Sequence, residues 1–179
     1  MDILLAASAL VVLLPLLLVV AVVIKAQDGG KVIFRQKRIG RRQVPFELLK
    51  FRSMRENVGE LPSDSAGGLP VTRFGHFLRR TNIDELPQLV NILRGEMSIV
   101  GPRPALRSQV ELIAARAANG AFEARPGLTG LAQVSAYDRM PVAEKAAFDC
   151  EYSRDVRFLK DVHVILRTFG YLRRPPPVY

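Results

Sequence analysis

Asp84 and Glu85 stand side by side in the run Thr81–Arg94, TNIDELPQLVNILR. Two adjacent carboxylates suit chemistry at phosphorus: one can attack as a nucleophile while its neighbour holds Mg²⁺, a cation that takes one or two carboxylates plus substrate oxygens. Leu86, Leu89, Val90 and Leu93 recur at helical spacing, so the run is predicted to be one helix. Thr81 or Asn82 caps its start, Pro87 falls where the backbone N–H has no partner anyway, and Gly95 ends it. In that helix both acids lie in the first turn, where the partial positive charge favours carboxylate and attracts phosphate. The plain alternative is that acids are common in first turns because they complement the helix dipole.

Cations surround the pair in the sequence. Arg79 and Arg80 precede it, Arg103 is held between Pro102 and Pro104, and Arg125 precedes Pro126-Gly127. The guanidinium fork suits bidentate phosphate binding. Each could equally be a solvated surface charge, a reading hardest to sustain for Arg103 and Arg125, whose flanking prolines fix the backbone. Lys50 and Arg52 share one face of a predicted strand over Phe46–Met54. Other chemistries lack their parts. His76 and His163 are the only histidines and have neither metal-ligand spacing nor a triad partner, and Cys150 is the single cysteine. There is no G-x-G-x-x-G, no Walker loop, no RNP-type and no zinc-finger pattern.

The elements that must position these groups begin with Ile3–Ile24, 22 residues of which only Ser8 is polar. As a helix the run would be roughly 33 Å long, against a hydrocarbon core of about 30 Å. No basic residue precedes it, which disfavours a cleaved signal, and Pro15 sits mid-run, where it tends to kink a helix. Residues 1–25 are therefore assigned to a membrane-anchoring helix bent near Pro15, and 26–179 to a catalytic domain, placed in the cytoplasm by the positive-inside rule. Asp28-Gly29-Gly30 is a turn, Lys31–Gln36 a short strand, and Arg38–Arg42 a basic turn about Gly40. Glu56–Thr72 reads as a mobile surface loop. Arg73–Arg80 is short, basic and aromatic, and Ser98–Pro104 a rigid, breaker-rich segment. Leu106–Ala118 and Val142–Tyr152 are helical, with a Gly/Pro loop from Ala124 to Val134 between them. In Val156–Leu172, residues Phe158, Leu159, Val162, Ile165, Leu166 and Phe169 form one apolar stripe. Packing of that stripe on the core is the expectation, and lying apolar face down on a membrane the alternative.

The chain carries 26 Lys and Arg against 17 Asp and Glu, a net charge of +9, with every Lys and Arg from Lys25 onward. Such a body seeks phosphorylated substrates, anionic lipid or nucleic acid. A non-catalytic basic adaptor on anionic lipid is the chief rival to an enzyme. A nucleic-acid module has only the charge in its favour, and no nucleic-acid partner is expected.

In KVIFRQKRIG (Lys31–Gly40), LLKFRSM (Leu48–Met54), RFGHFLRRTNIDELPQLVNILRGEMSIVGPRP (Arg73–Pro104) and RPGLTGLAQV (Arg125–Val134), the chain resembles the monotopic phosphoglycosyl transferases, or bacterial sugar transferases. The resemblance implies a mixed α/β fold, mostly helical with a small β-sheet, carried by an N-terminal membrane helix. That helix would be re-entrant, bending at Pro15 and returning both ends to the cytoplasmic face of the bacterial inner membrane. It implies transfer of a phosphosugar from a UDP-sugar to polyprenyl phosphate with release of UMP. Asp84 would be the nucleophile of a covalent aspartyl-phosphosugar intermediate and Glu85 the Mg²⁺ ligand. Lys50, Arg79 and Arg103 match residues that support phosphates and nucleotide, and Arg125 lies in a family motif. Membrane lipid is an expected partner, and self-association into a homo-oligomer stays open. Leu131 stands where the family often has Trp, and Ser135–Asp138 (SAYD) departs from its usual run, so no sugar is carried over.

Overall fold

The computed structural model describes residues 1–55, 71–135 and 140–172. The loop expected over Glu56–Thr72, most of the SAYD run and the C-terminal prolines lie wholly or largely outside the described residues. The architecture is mostly helical with small sheets: α1 Asp2–Asp28, β1 Ile33–Ile39, β2 Pro45–Phe51, α2 Arg73–Thr81, α3 Gln88–Leu93, β3 Ser98–Val100, β4 Ala105–Leu106, α4 Val110–Asn119, β5 Gly127–Thr129, α5 Leu131–Ser135, α6 Val142–Arg154 and α7 Phe158–Leu172. These elements form two compact units, one built on residues 1–36 and 48–93, the other on 37–47 and 94–172. The β1–β2 hairpin gives its ends to the first unit and its tip to the second.

In the first unit α1 is long and apolar enough to cross a membrane. Its helical assignment runs unbroken through Pro15 to Asp28, three residues beyond the expected end. Gly29, in the left-handed region at φ 70°, stops it and returns its N–H to the Lys25 carbonyl at 2.9 Å. Of its side chains only Ala6, Val20 and Ile24 are buried. Val20 and Ile24 pack with Phe51 of β2 and Leu78 of α2, while Leu4 and Val12 are each 75% exposed. So much apolar surface is costly in water and is what a bilayer covers.

The helix predicted over Thr81–Arg94 is instead interrupted. Arg73–Thr81, read from sequence only as basic and aromatic, is a helix of its own, capped by Thr72, whose Oγ1 accepts the Gly75 N–H at 2.8 Å. Thr81 and Asn82 end this helix rather than begin the next. Asn82 is left-handed (φ 55°), and Thr81 Oγ1 donates back to the Phe77 carbonyl at 2.9 Å. A single 3₁₀ turn, Ile83–Glu85, carries the two acids, and α3 starts only at Gln88. Pro87 supplies the reason. It has no N–H to give the Ile83 carbonyl, which accepts from Leu86 instead at 3.2 Å. The first-turn dipole argument therefore loses most of its force, because the acids sit outside α3, itself only six residues long.

In the second unit β1 pairs antiparallel with β4 (Arg38 opposite Leu106), and β3 pairs parallel with β5 (Ser98 opposite Gly127). One core gathers Val100, Leu131, Tyr152 and Val164; another gathers Ala105, Leu112 and Ala146. Helix α4 begins at Val110 rather than Leu106, because Ala105 and Leu106 are held in β4 and the Gln109 side chain accepts the Leu106 N–H at 3.0 Å. The apolar stripe expected to face the core along α7 does so only in part, through Ile165, which packs against the core around Val164. Phe158, Leu159, Leu166 and Phe169 are all exposed, and the buried line runs through Val164 instead. The polar residues explain the rotation: Asp161 accepts from the Tyr152 hydroxyl at 2.7 Å, and Thr168 bonds Thr129 at 2.7 Å, on the same face as Val164.

Candidate active site

Asp84 is 8% exposed on its 3₁₀ turn, a carboxylate largely removed from water. Beside it Glu85 Oε1 accepts a 2.8 Å bond from Lys50 Nζ, with both side chains mostly covered. Lys50 reaches this point because β2 is anchored at the preceding residue, where Asn91 of α3, fully buried, takes the Leu49 N–H on its Oδ1 at 3.1 Å. Arg79 approaches from α2 and donates from Nε to Ser53 Oγ at 2.9 Å. Helix α2 can come this close only through Gly75: a Cβ there would lie 2.0 Å from the Ser53 carbonyl oxygen. Lys50, Arg79, Asp84 and Glu85 thus belong to one unit, built on β2, α2 and the 3₁₀ turn around Phe51, Leu78 and Ile83.

Sequence reasoning missed Asn91, Ser53 and Gly75. For Gly75 a signal existed, since a glycine inside an otherwise helical run often marks close backbone approach. Gln88 was missed too. It is 2% exposed, and its Nε2 has no partner among the described residues, which leaves a buried donor suited to an acceptor oxygen.

Arg103 and Arg125 lie in the second unit, on two loops that meet backbone to backbone. A Cβ on Gly101 would stand 2.2 Å from the Arg125 carbonyl oxygen, and one on Gly127 2.1 Å from the Gly101 nitrogen. The glycines of VGPRP and RPGLTG are therefore what let the two arginine-bearing segments adjoin. Beneath them Arg116 and Asp149, 1% and 2% exposed, form a buried ion pair at 2.6 Å. Burial pushes the Asp149 carboxyl above the usual carboxylate value, and the Arg116 guanidinium pulls the other way.

The chemistry available to the first unit is that of a desolvated carboxylate beside a second one held by a cation. Among the described residues no group of three His, Cys, Asp or Glu could cage a metal. The pair of carboxylates does fit a Mg²⁺ whose remaining ligands come from water and a substrate diphosphate. His76 and His163 are both exposed.

The chain thus joins a basic body, an apolar helix of membrane-crossing length and a buried carboxylate beside a second one held by lysine. The bacterial sugar transferase family model matches residues 1–174, and the chain belongs to that family. It is 39% identical to the exopolysaccharide production protein ExoY of Sinorhizobium fredii, over 93% of this chain and 81% of that protein. It is 40% identical to the UDP-glucose:undecaprenyl-phosphate glucose-1-phosphate transferase of Caulobacter vibrioides, over 94% of this chain and 66% of that protein. With the Escherichia coli protein of the same name the identity is 38%, over 93% of this chain and 38% of that one. The chain spans less than half the length of several such relatives.

Proposed function

We propose that this protein transfers a phosphosugar from a UDP-sugar to a polyprenyl phosphate, releasing UMP, at the cytoplasmic face of a bacterial inner membrane. The observation that carries the reading is the buried Asp84 next to a Glu85 held by Lys50 at 2.8 Å, inside the matched family region. In the first step an Asp84 carboxylate oxygen attacks the phosphorus bearing the sugar. The bond from that phosphorus to the bridging oxygen breaks, and UMP leaves with the electron pair. In the second step an oxygen of the polyprenyl phosphate attacks the same phosphorus and the Asp84 carboxylate is restored. Splitting the transfer in this way is the benefit of covalent catalysis. Glu85 would hold Mg²⁺, which when bound neutralises charge on the diphosphate. Lys50, Arg79, Arg103 and Arg125 would receive phosphate oxygens, and the buried Gln88 amide offers a further donor. UDP-glucose and UDP-N-acetylgalactosamine are the donors to test first, since relatives carry those sugars in their names. The anchor, residues 1–25, is proposed to be re-entrant and bent at Pro15, with 26–179 cytoplasmic. The outward apolar face of α7, Phe158, Leu159, Leu166 and Phe169, is proposed to rest on the membrane surface.

The test is the half-reaction. Mixed with a UDP-sugar and no lipid, the protein should gain the mass of one phosphosugar and release UMP. Asp84→Asn, which keeps size but loses charge, should abolish the adduct and the turnover. Near-normal turnover in Asp84→Asn would overturn the mechanism.

A further inference from the structure

The segment Pro102-Arg103-Pro104 has an arrangement that its sequence does not reveal. Each of its three consecutive carbonyls is engaged. Pro102 O accepts the Gly127 N–H at 3.0 Å. Arg103 O accepts Arg116 Nη1 at 2.9 Å, and Pro104 O accepts Arg38 Nη1 at 3.2 Å. Both of these arginines are buried, at 1% and 6% exposure. Arg116 is itself aimed by Asp149, whose Oδ2 takes its Nε at 2.8 Å and its Nη2 at 2.6 Å. The fork is thus divided, with two N–H groups on α6 and the third on the Arg103 carbonyl. Flanking prolines narrow the backbone further, since Pro104 restricts Arg103 and each proline ring fixes its own φ.

A purely structural pair needs none of this. Burying two charges costs desolvation that well-packed apolar residues would avoid, so an ion pair joining α4 to α6 is a poor device for stability alone. What it supplies is direction. We infer that Arg116, oriented by Asp149 and assisted by Arg38, is a positioning residue that fixes the backbone of Arg103, so that the Arg103 guanidinium meets the diphosphate of the donor already oriented. The inference deepens the proposed function and rests on it, because it takes Arg103 as a phosphate-binding group. Preorganised donors act without reorganisation at the moment of reaction, and a misplacement of about 1 Å can cost on the order of 100-fold in rate.

The experiment is a kinetic double-mutant cycle on the full chain in detergent, following UMP release against UDP-sugar concentration. Arg116→Lys keeps a cation for Asp149 but cannot also reach the Arg103 carbonyl. It should lower kcat/KM by about 10- to 100-fold in folded protein. In an Arg103→Ala background the same change should cost less than about twofold, because the group being positioned is gone. Losses that multiply in the double variant would mean that Arg116 acts independently of Arg103, and that result overturns the inference. So does a folded Arg116→Lys with parental kcat/KM. Asp149→Asn, which keeps an acceptor for Arg116, repeats the cycle if Arg116→Lys fails to fold; failure of both to fold assigns the pair to stability alone and overturns the proposal. Absence of UMP release by the parent protein with every UDP-sugar tried would sink the functional reading itself, an outcome visible before any variant is made.

Discussion

At the scale of single residues, Glu85 answers to two cations, Lys50 at 2.8 Å and the Mg²⁺ it is proposed to hold. A lysine on a carboxylate opposes a dication there, so metal binding should depend on substrate phosphate supplying the remaining ligands and drawing Lys50 toward its own oxygens. Chelation should therefore abolish turnover, and added Mg²⁺ should restore it; full UMP release in excess chelator would remove the metal from the scheme. Lys50→Met should fold but lose on the order of 100-fold in kcat, the usual cost of deleting one preorganised donor to a developing charge. Steady-state kinetics would check this, and an unchanged kcat would leave Lys50 a structural partner of Glu85 only. Asp84 and Glu85 drew notice in the sequence by adjacency and residue type, and their proposed roles came from the family resemblance. Asn91 and Ser53 were not, because their partners lie 42 and 26 positions away, and nothing local marks such a bond.

At the scale of elements, periodicity showed that 81–94 is helical in character but could not show that Pro87 would divide it. On α7 it found an apolar stripe and placed the core against it, which holds only for Ile165; the bonds of Asp161 and Thr168 turn the Val164 face inward instead. Short strands β3 and β5 were read as breaker-rich or loop segments and Leu106 of β4 as the start of a helix, because two or three residues carry no alternation to read. Glycines give the sharpest test at this scale. Gly75→Ala puts a methyl 2.0 Å from backbone oxygen, so α2 must shift and Arg79 with it. It should destabilise by about 1–3 kcal/mol and cut turnover as well. Gly170→Ala, in the last turns of α7 with nothing within 4 Å of the new methyl, should be neutral or stabilising by up to about 1 kcal/mol. Thermal unfolding in detergent compares the two, and equal effects would show that the approach of α2 to Ser53 is not tight in solution.

At the scale of the whole molecule, the sequence made plain an apolar head and a basic body, because both are matters of composition. The division into two units was hidden, since the hairpin tip belongs with residues far along the chain. The membrane arrangement yields a prediction of its own. With Cys150 replaced by Ser, a cysteine at Asp2 should resist a membrane-impermeant thiol reagent in intact cells, because a re-entrant anchor keeps both ends inside; ready labelling would mean a spanning helix. The discontinuous second unit also has a consequence in time. Residues 37–47 leave the ribosome before 48–93, and only then does 94–172 follow. At about 5–20 residues per second that is a wait of a few seconds. Arg38 is made 66 residues ahead of the Pro104 carbonyl it will bond. Ile39, too, precedes the Leu112 and Ala146 it will pack against. A nascent chain thus carries a basic hairpin tip whose native partners do not yet exist, and the second unit closes by recruiting an early segment rather than by growing from one end.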